Sequence, residues 1–466
     1  MSTHKKILIA GGGITGLTTA YYLQKEIAEK DLPYDVTLVE AGNRLGGKIK
    51  TIRRNGFVIE QGPDSFLSRK QPAVKLAYEL GLHDQLVRNG TGQSYILVND
   101  KLHKMPKGSY MGIPKQIRPF LFSGILSPAG KLRTGMDLIM SRGKQGDQSL
   151  GSFFRRRFGN QLVENQIEPL LSGIYAGNID EMSIKATFPN FYDLEQTYRS
   201  LIKGLQETDP KPKTKNDGKK QGVFFSFKNG LETLIEELEA SLGDIVEKNA
   251  GIDHVEKKEH GYHVLLSNGD VHKADAIVMA TPHYTVPKVF SQFDLFDSFQ
   301  EIPSNSVANV AMAFDESAIK QDIDGTGFVV SRNSDYRITA CTWTHKKWPN
   351  AAPEGKALVR CYVGKPDDQD VINLSDDDMI DIVLNDLNKT MNITQKPEFS
   401  VISRWKNAMP QYTVGHNDML EHVRASMHKE LPGVFLAGSS YEGVGIPDCI
   451  GQGEQAVADV LDFLKN

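Results

Sequence analysis

Apolar residues fall along this chain in distinct rhythms, and the first is a short run from Lys6 to Ala10 leading into Gly11-Gly12-Gly13-Ile14-Thr15-Gly16. Beyond the glycines, Leu17, Ala20, Tyr21 and Leu23 recur at helical spacing until a charged end at Lys25 to Lys30. Pro33 separates that helix from a second run, Val36 to Val39, which stops on Glu40. The order predicts strand, glycine turn, helix, strand: the βαβ unit that holds a dinucleotide. Gly11 allows the tight turn, Gly13 lets the backbone approach a pyrophosphate, and Gly16 brings helix against strand. The helix N-terminus then offers unpaired N–H groups to the phosphates. Glu40 lies where an acid for a ribose hydroxyl is expected. The alternative is an ordinary glycine-rich turn, and the unit alone does not choose between NAD and FAD.

Further along, Arg44-Leu45-Gly46-Gly47-Lys48 again permits close backbone approach, Phe57 to Glu60 alternates as a strand, and Gly62-Pro63-Asp64-Ser65 reads as a turn. Leu231, Leu234, Ile235 and Leu238 form a helical stripe after Gly230. The segment Ile252 to Val271 alternates as strand around a Ser267-Asn268-Gly269-Asp270 turn. Ala276 to Ala280 is continuously apolar, as a buried parallel strand requires, and stops at Thr281-Pro282. Strand-like runs follow at Asn309 to Phe314, Gly327 to Val330 and Ala357 to Val363. The chain ends with Val434 to Ala437, a loop from Gly438 to Asp448, and a helical stripe at Ala456, Val457, Val460, Leu461 and Leu464.

Nucleotide-type elements thus occur at the start, middle and end. The expected fold is α/β: a discontinuous Rossmann-type domain with an inserted helical region and a mixed-sheet substrate domain. The expected division gives 1–68, 222–300 and 400–466 to the nucleotide domain, 69–95 and 301–399 to the substrate domain, and 96–208 to the helical domain. The polar, lysine-rich stretch 209–221 is expected to be a flexible loop.

Composition narrows the picture. A chain of 466 residues exceeds what one core usually serves, and 39% hydrophobic with 24% charged residues is ordinary for globular proteins. A net charge of -4 selects no partner and gives no sign of nucleic-acid binding. Three scattered cysteines, Cys341, Cys361 and Cys449, suit a reducing compartment, so a cytoplasmic location is expected. No apolar run approaches a membrane span, which limits any membrane contact to the periphery. One region departs from the average: residues 101–136 carry seven Lys or Arg and no acid, with Phe120-Leu121-Phe122, Ile125 and Leu126 among them. It reads as mainly helical, either as a solvated basic face or as a surface for an anionic substrate, an acidic partner or anionic lipid. No Ser/His/Asp triad, paired-carboxylate motif or metal-ligand cluster is visible.

The glycine unit with Glu40, the Arg44–Lys48 glycine pair, Ala280-Thr281-Pro282 and Ala437-Gly438 followed by Gly443-Val444-Gly445-Ile446-Pro447-Asp448 resemble the monoamine oxidase-like FAD superfamily. Within it, Glu60 to Phe66, Glu168 to Tyr175, Met409-Pro410-Gln411-Tyr412 and Gly445 to Cys449 resemble porphyrinogen oxidases of the Gram-positive bacterial type. The resemblance runs from end to end and implies FAD. It implies cofactor contacts at Gly11, Gly12, Gly13, Ile14, Thr15 and Gly16 for the pyrophosphate and at Glu40 and Ala41 for the adenosine ribose. It further implies Val255 at the adenine end, Lys48 with Gly62, Pro63, Asp64 and Ser65 near the flavin, and Trp405 with Val444, Gly445 and Ile446 around its ring. The closing helix would point its N-terminus at the flavin pyrimidine.

The reaction so implied removes six electrons from a porphyrinogen, with hydride transfer to the flavin and dioxygen as acceptor, yielding hydrogen peroxide. Such chemistry needs orientation and a dry pocket more than a strong base. By family position Lys70, with Arg69 beside it, is the candidate cation for a propionate; Ile174 and Tyr175 are candidate walls and Asn309 a polar group near the flavin. Each also has a plain structural reading as a solvated lysine or a core residue. His283 reads as a loop residue. Cys449 is placed at a helix N-terminus, where a thiol pKa falls, but packing is the favoured reading over redox chemistry. The basic 101–136 region and the Gram-positive resemblance favour coproporphyrinogen III over protoporphyrinogen IX, with ferrochelatase as recipient of the product. An amine oxidase or desaturase, or a flavin-free carrier of prenylated GTPases, is the rival on the same fold.

Overall fold

The computed structural model describes residues 4–90, 93–208, 222–321, 323–393 and 395–465; the lysine-rich 209–221 stretch lies outside them. Five parallel strands form the first sheet, in the order Val246–Lys248, Tyr34–Glu40, Lys5–Ala10, Ala276–Met279, Val434–Leu436. The central strand, Lys5–Ala10, pairs in register with Tyr34–Glu40 on one side and Ala276–Met279 on the other. Ile7 to Ala10 of the central strand and all of Ala276–Met279 are buried on both faces, which is why their apolar runs are continuous rather than alternating. Start, middle and end of the chain therefore meet in one sheet, as the pattern predicted.

Helices Ile14–Lys30 and Ile446–Lys465 pack against each other on one face. Leu17, Leu23, Ile450 and Val460 are fully buried there, each contributing about 2 kcal/mol relative to exposure. Helix Glu232–Leu242 covers the same core with the predicted Leu234, Ile235 and Leu238 stripe.

A second sheet of seven strands runs Phe399–Pro410, Ser304–Asp315, Lys356–Val363, Ile338–Trp343, Gly327–Val330, Tyr95–Val98, Lys101–Lys104. Two expected boundaries shift as a result. Strand Phe399–Pro410 begins before 400 and pairs with Ser304–Asp315, so it belongs to this sheet rather than the nucleotide segments. Tyr95–Val98 and Lys101–Lys104 also join the sheet, so the helical region starts later than 96. The basic 101–136 stretch is correspondingly helical over less than half its length: three short strands precede Ile117–Leu121 and Pro128–Gly135. Its alternation was masked by lysines that stand at the sheet edge, where charge discourages further pairing.

The helical region is tied internally by Arg157, which is fully buried between Asp137 and Glu195. Its remaining N–H groups donate to the Ser141, Asp137 and Arg199 carbonyls. A buried guanidinium is tolerated because its donors are so occupied.

Candidate functional site

The glycine turn follows strand Lys5–Ala10, and Gly46 N donates to the Gly12 carbonyl at 2.7 Å, laying the second glycine pair alongside the first. A Cβ at Gly16 would overlap the Gly11 carbonyl oxygen, whereas a Cβ at Gly13 would meet nothing within 4 Å. Gly16 is therefore fixed by helix–strand packing, and Gly13 faces open space. Helix Ile14–Lys30 has no side-chain cap and no acid in its first turn, so Ile14, Thr15 and Gly16 start it with free anion-binding capacity. Glu40 accepts from Gly12 N and Gly42 N, both at 2.7 Å, which fixes its carboxylate at the end of its strand beside the turn. Ala41 stands next to it, exposed. Val255 is fully buried in the hairpin strand Ile252–Lys257. That strand leaves from Ala250, whose N–H donates to the Glu40 carbonyl.

Lys48 reaches the Ser439 hydroxyl at 3.3 Å and has no carboxylate partner among the described residues. Burial pulls its ammonium below the ordinary lysine range. Ser439 is held in turn by the Tyr412 hydroxyl, which donates to its carbonyl at 2.7 Å.

The Gly62 turn sits against the seven-stranded sheet. Trp405 Nε1 donates to the Gln61 carbonyl at 2.7 Å, Gln61 Nε2 to the Ser403 hydroxyl at 2.9 Å, and Asn309 Nδ2 to the Glu60 carbonyl at 3.0 Å. Pro63 and Ser65 flank Asp64, which is ion-paired with Lys347 at 2.9 Å and with Arg360 at 3.4 Å, while Arg360 also donates to the Gly62 carbonyl at 2.8 Å. Burial alone would push the Asp64 carboxyl up, but the two cations outweigh it and hold it well below the usual range. Glu60 shows the reverse: burial raises it to about 7, against hydrogen bonds from Leu231 N and Thr51.

Val444, Gly445 and Ile446 form the turn into the closing helix. Val444 packs on the helical region's core and Ile446 on the nucleotide domain's, so this turn joins the two. Lys70 meets both Asp448 oxygens, at 2.5 and 2.6 Å. Tyr175 is buried, edge-on to Tyr412 with ring centroids 5.6 Å apart, and the charge on Asp448 adds to burial in raising its phenol pKa. Ile174 beside it is exposed. Cys449 lies in the first turn of the closing helix and is buried, in keeping with the packing reading; burial drives its thiol up to about 11, beyond what Lys48 offsets. His283 is buried, bonded to Ser440, and held near 4 by burial.

A flavin dinucleotide fits this arrangement. Buried polar atoms without a hydrogen-bond partner include Gln61 Oε1 and Asn309 Oδ1 at the Gly62 turn, Thr281 Oγ1 next to Gly11, and Arg360 Nε. With Lys48, which has no carboxylate partner among the described residues, they offer donors, acceptors and positive charge of the kind a dinucleotide's polar groups require. Residues whose part sequence reading did not assign are Ser439, Arg360, Lys347 and Asp448. Arg360 had a signal, being the lone charge inside an apolar strand; Ser439 and Lys347 had none.

Comparison with known proteins agrees with the geometry. The family described as flavin containing amine oxidoreductase matches residues 14–461. The chain is 51% identical to the coproporphyrinogen III oxidase of Bacillus subtilis (strain 168), covering 100% of both chains. It is 43% identical to the coproporphyrinogen III oxidase of Staphylococcus aureus (strain NCTC 8325 / PS 47), covering 98% of this chain and 99% of that one. Among solved structures, a candidate protoporphyrinogen oxidase from Exiguobacterium sp. 255-15 superposes with a TM-score of 0.87 at 38% identity, over 99% of each chain.

Proposed function

The chain belongs to the flavin-containing amine oxidoreductase family, and from that premise we propose that it is an FAD-dependent oxidase converting coproporphyrinogen III to coproporphyrin III in haem biosynthesis. The observation that carries this reading is the full-length identity to two coproporphyrinogen III oxidases, in a chain whose orphaned polar groups and glycine turn suit FAD. When bound, FAD accepts hydride from the porphyrinogen and passes the electrons to dioxygen, giving hydrogen peroxide.

The protein's own part is binding and orientation. Gly11 to Gly16 and the uncapped helix behind them hold the pyrophosphate, and Glu40 with Ala41 the ribose, while Val255 lies at the adenine end. Lys48 supplies positive charge and, with Gly62 to Ser65, Trp405 and Val444 to Ile446, frames the ring. The Asp64–Lys347–Arg360 cluster fixes the Gly62 turn to the substrate sheet. Lys70, Ile174, Tyr175 and Asn309 are assigned to the substrate side, as cation, walls and polar contact. Pyrrole nitrogens stabilise the cation left by hydride loss, so no side chain needs to act as a strong base.

Among the described residues no helix is long and apolar enough to cross a membrane. Peripheral contact with the inner face of the cell membrane is part of the proposal. It is supported by the exposed Leu121, Phe122, Leu132, Met136 and Ile139 beside Arg118 and Lys131. Transfer of the metal-free product to a ferrochelatase follows from what that product lacks. The test is side-by-side turnover of coproporphyrinogen III and protoporphyrinogen IX under oxygen with the purified flavoprotein. A clear preference for protoporphyrinogen, or turnover of an amine instead, overturns the substrate assignment.

A further inference from the structure

Lys70 is the residue that the proposed function assigns to a substrate carboxylate, yet its ammonium already faces a carboxylate of this chain. Both oxygens of Asp448 meet it, and the two side chains are 39% and 37% exposed, so the pair stands at an opening rather than in the core. Asp448 occupies the first turn of the closing helix, two residues past Ile446. Its Cβ lies 2.8 Å from where a Cβ at Gly443 would stand, so the side chain lies folded against the turn assigned to the flavin ring. Its charge is also felt by Tyr175, beside the exposed Ile174. Three segments far apart in sequence, around Lys70, Tyr175 and Gly443–Asp448, therefore meet at one carboxylate that no catalytic step uses.

We propose that Asp448 is a specificity-setting residue: it stands in for the substrate's carboxylate on Lys70 and opposes polycarboxylate binding until displaced or shared. The inference rests on the porphyrinogen reading above. An anion entering this opening meets a pair of net charge zero. It gains the Lys70 charge only against repulsion from Asp448, a balance that weakens affinity and hastens product release. The helix Gln71–Glu79 that follows Lys70 is tied to the closing helix a second time, by Lys75 to Glu454 at 2.7 Å, further from the turn. This second bridge is the control for a purely structural tie.

The experiment measures dissociation constants by fluorescence for coproporphyrin III and for its uncharged tetramethyl ester, using the holoenzyme. Asp448→Asn is expected to tighten coproporphyrin III by about fivefold at low salt and less at high salt, the range of a half-exposed ion pair. It should leave the ester unchanged. Lys70→Ala should weaken coproporphyrin III, and Lys75→Ala with Glu454→Gln should alter neither. Unchanged or weaker coproporphyrin III binding in Asp448→Asn, or an equal shift for the ester, overturns the proposal. Asp448→Ser is expected to move in the same direction, and loss of FAD from both variants assigns the pair to structure instead. If the wild type neither binds nor turns over these porphyrins, the substrate reading itself fails.

Discussion

Trp405 and Gln61 lie 344 positions apart, and a single 2.7 Å bond from the indole N–H to the Gln61 carbonyl joins the last strand of the large sheet to the turn before Gly62. Because Gln61 also bonds Ser403 and Asn309 reaches the same stretch of backbone, that turn is held by three side chains from one sheet. Trp405→Phe keeps the ring and removes the donor. A loss of about 1 kcal/mol in stability is expected, together with weaker flavin retention. Thermal melts and flavin content of the purified variant check both.

Gly13 and Gly16 separate two demands that the glycine motif combines. Gly16→Ala is expected to prevent folding or drastically lower Tm, since its Cβ has nowhere to go. Gly13→Ala should leave the apoprotein's Tm near wild type, because its Cβ enters open space. It should nevertheless lower FAD affinity by about tenfold or more, ~1.4 kcal/mol, since that space is where a phosphate would lie. Apoprotein melts and flavin-fluorescence titration read the two effects apart.

The two acids flanking Gly62 respond to pH in opposite senses. Asp64 has a folded pKa below its unfolded value of about 3.9, so its stabilisation is complete above that value and is lost as pH falls through the acid range below it. Glu60 has a folded value of about 7, above the unfolded one. Between roughly pH 4.3 and 7 the folded protein holds more protons than the unfolded chain, so this group lowers stability as pH rises. Relative to wild type, Glu60→Gln should therefore gain in Tm from pH 5 to 7.5. Asp64→Asn should lose about 3 kcal/mol at neutral pH, because Arg360 keeps its buried charge without its carboxylate.

The exposed apolar residues near Arg118 and Lys131 should carry binding to anionic vesicles. Phe122 is 90% exposed and Leu132 76%, and Lys131 donates to the Leu121 carbonyl at 2.7 Å, which holds the two short helices together. Co-sedimentation with vesicles containing anionic lipid is expected to fall by about tenfold or more in Phe122→Ser with Leu132→Ser, and in high salt. Equal sedimentation of variant and wild type would remove the membrane from the proposal.

How far the sequence led differs by element. The parallel sheet was legible because a strand buried on both faces has an unmistakable continuous run, as in Ala276 to Ala280. The glycine turn was legible because its spacing answers steric needs local to some thirty residues. The edge strand Lys101–Lys104 was not, since lysines at an edge hide alternation. Nor was the allegiance of Phe399–Pro410, which is decided by its partner Ser304–Asp315 and not by anything within it. Lys70 became a candidate by its place after Gly62 to Ser65. The carboxylate facing it lies 378 positions away, and no local rule reaches that far.

The three-part origin of the first sheet also sets when this protein can begin to exist as a folded object. Its central strand, Lys5–Ala10, has only Tyr34–Glu40 beside it until Ala276–Met279 is made, about 240 residues later, which at ribosomal speeds is tens of seconds. During synthesis one hydrogen-bonding edge of the nucleotide domain stays open to solvent and to other nascent chains. The closing helix, which packs on the same core against Ile14–Lys30, is made later still. The glycine turn is thus made long before the sheet that carries it is complete.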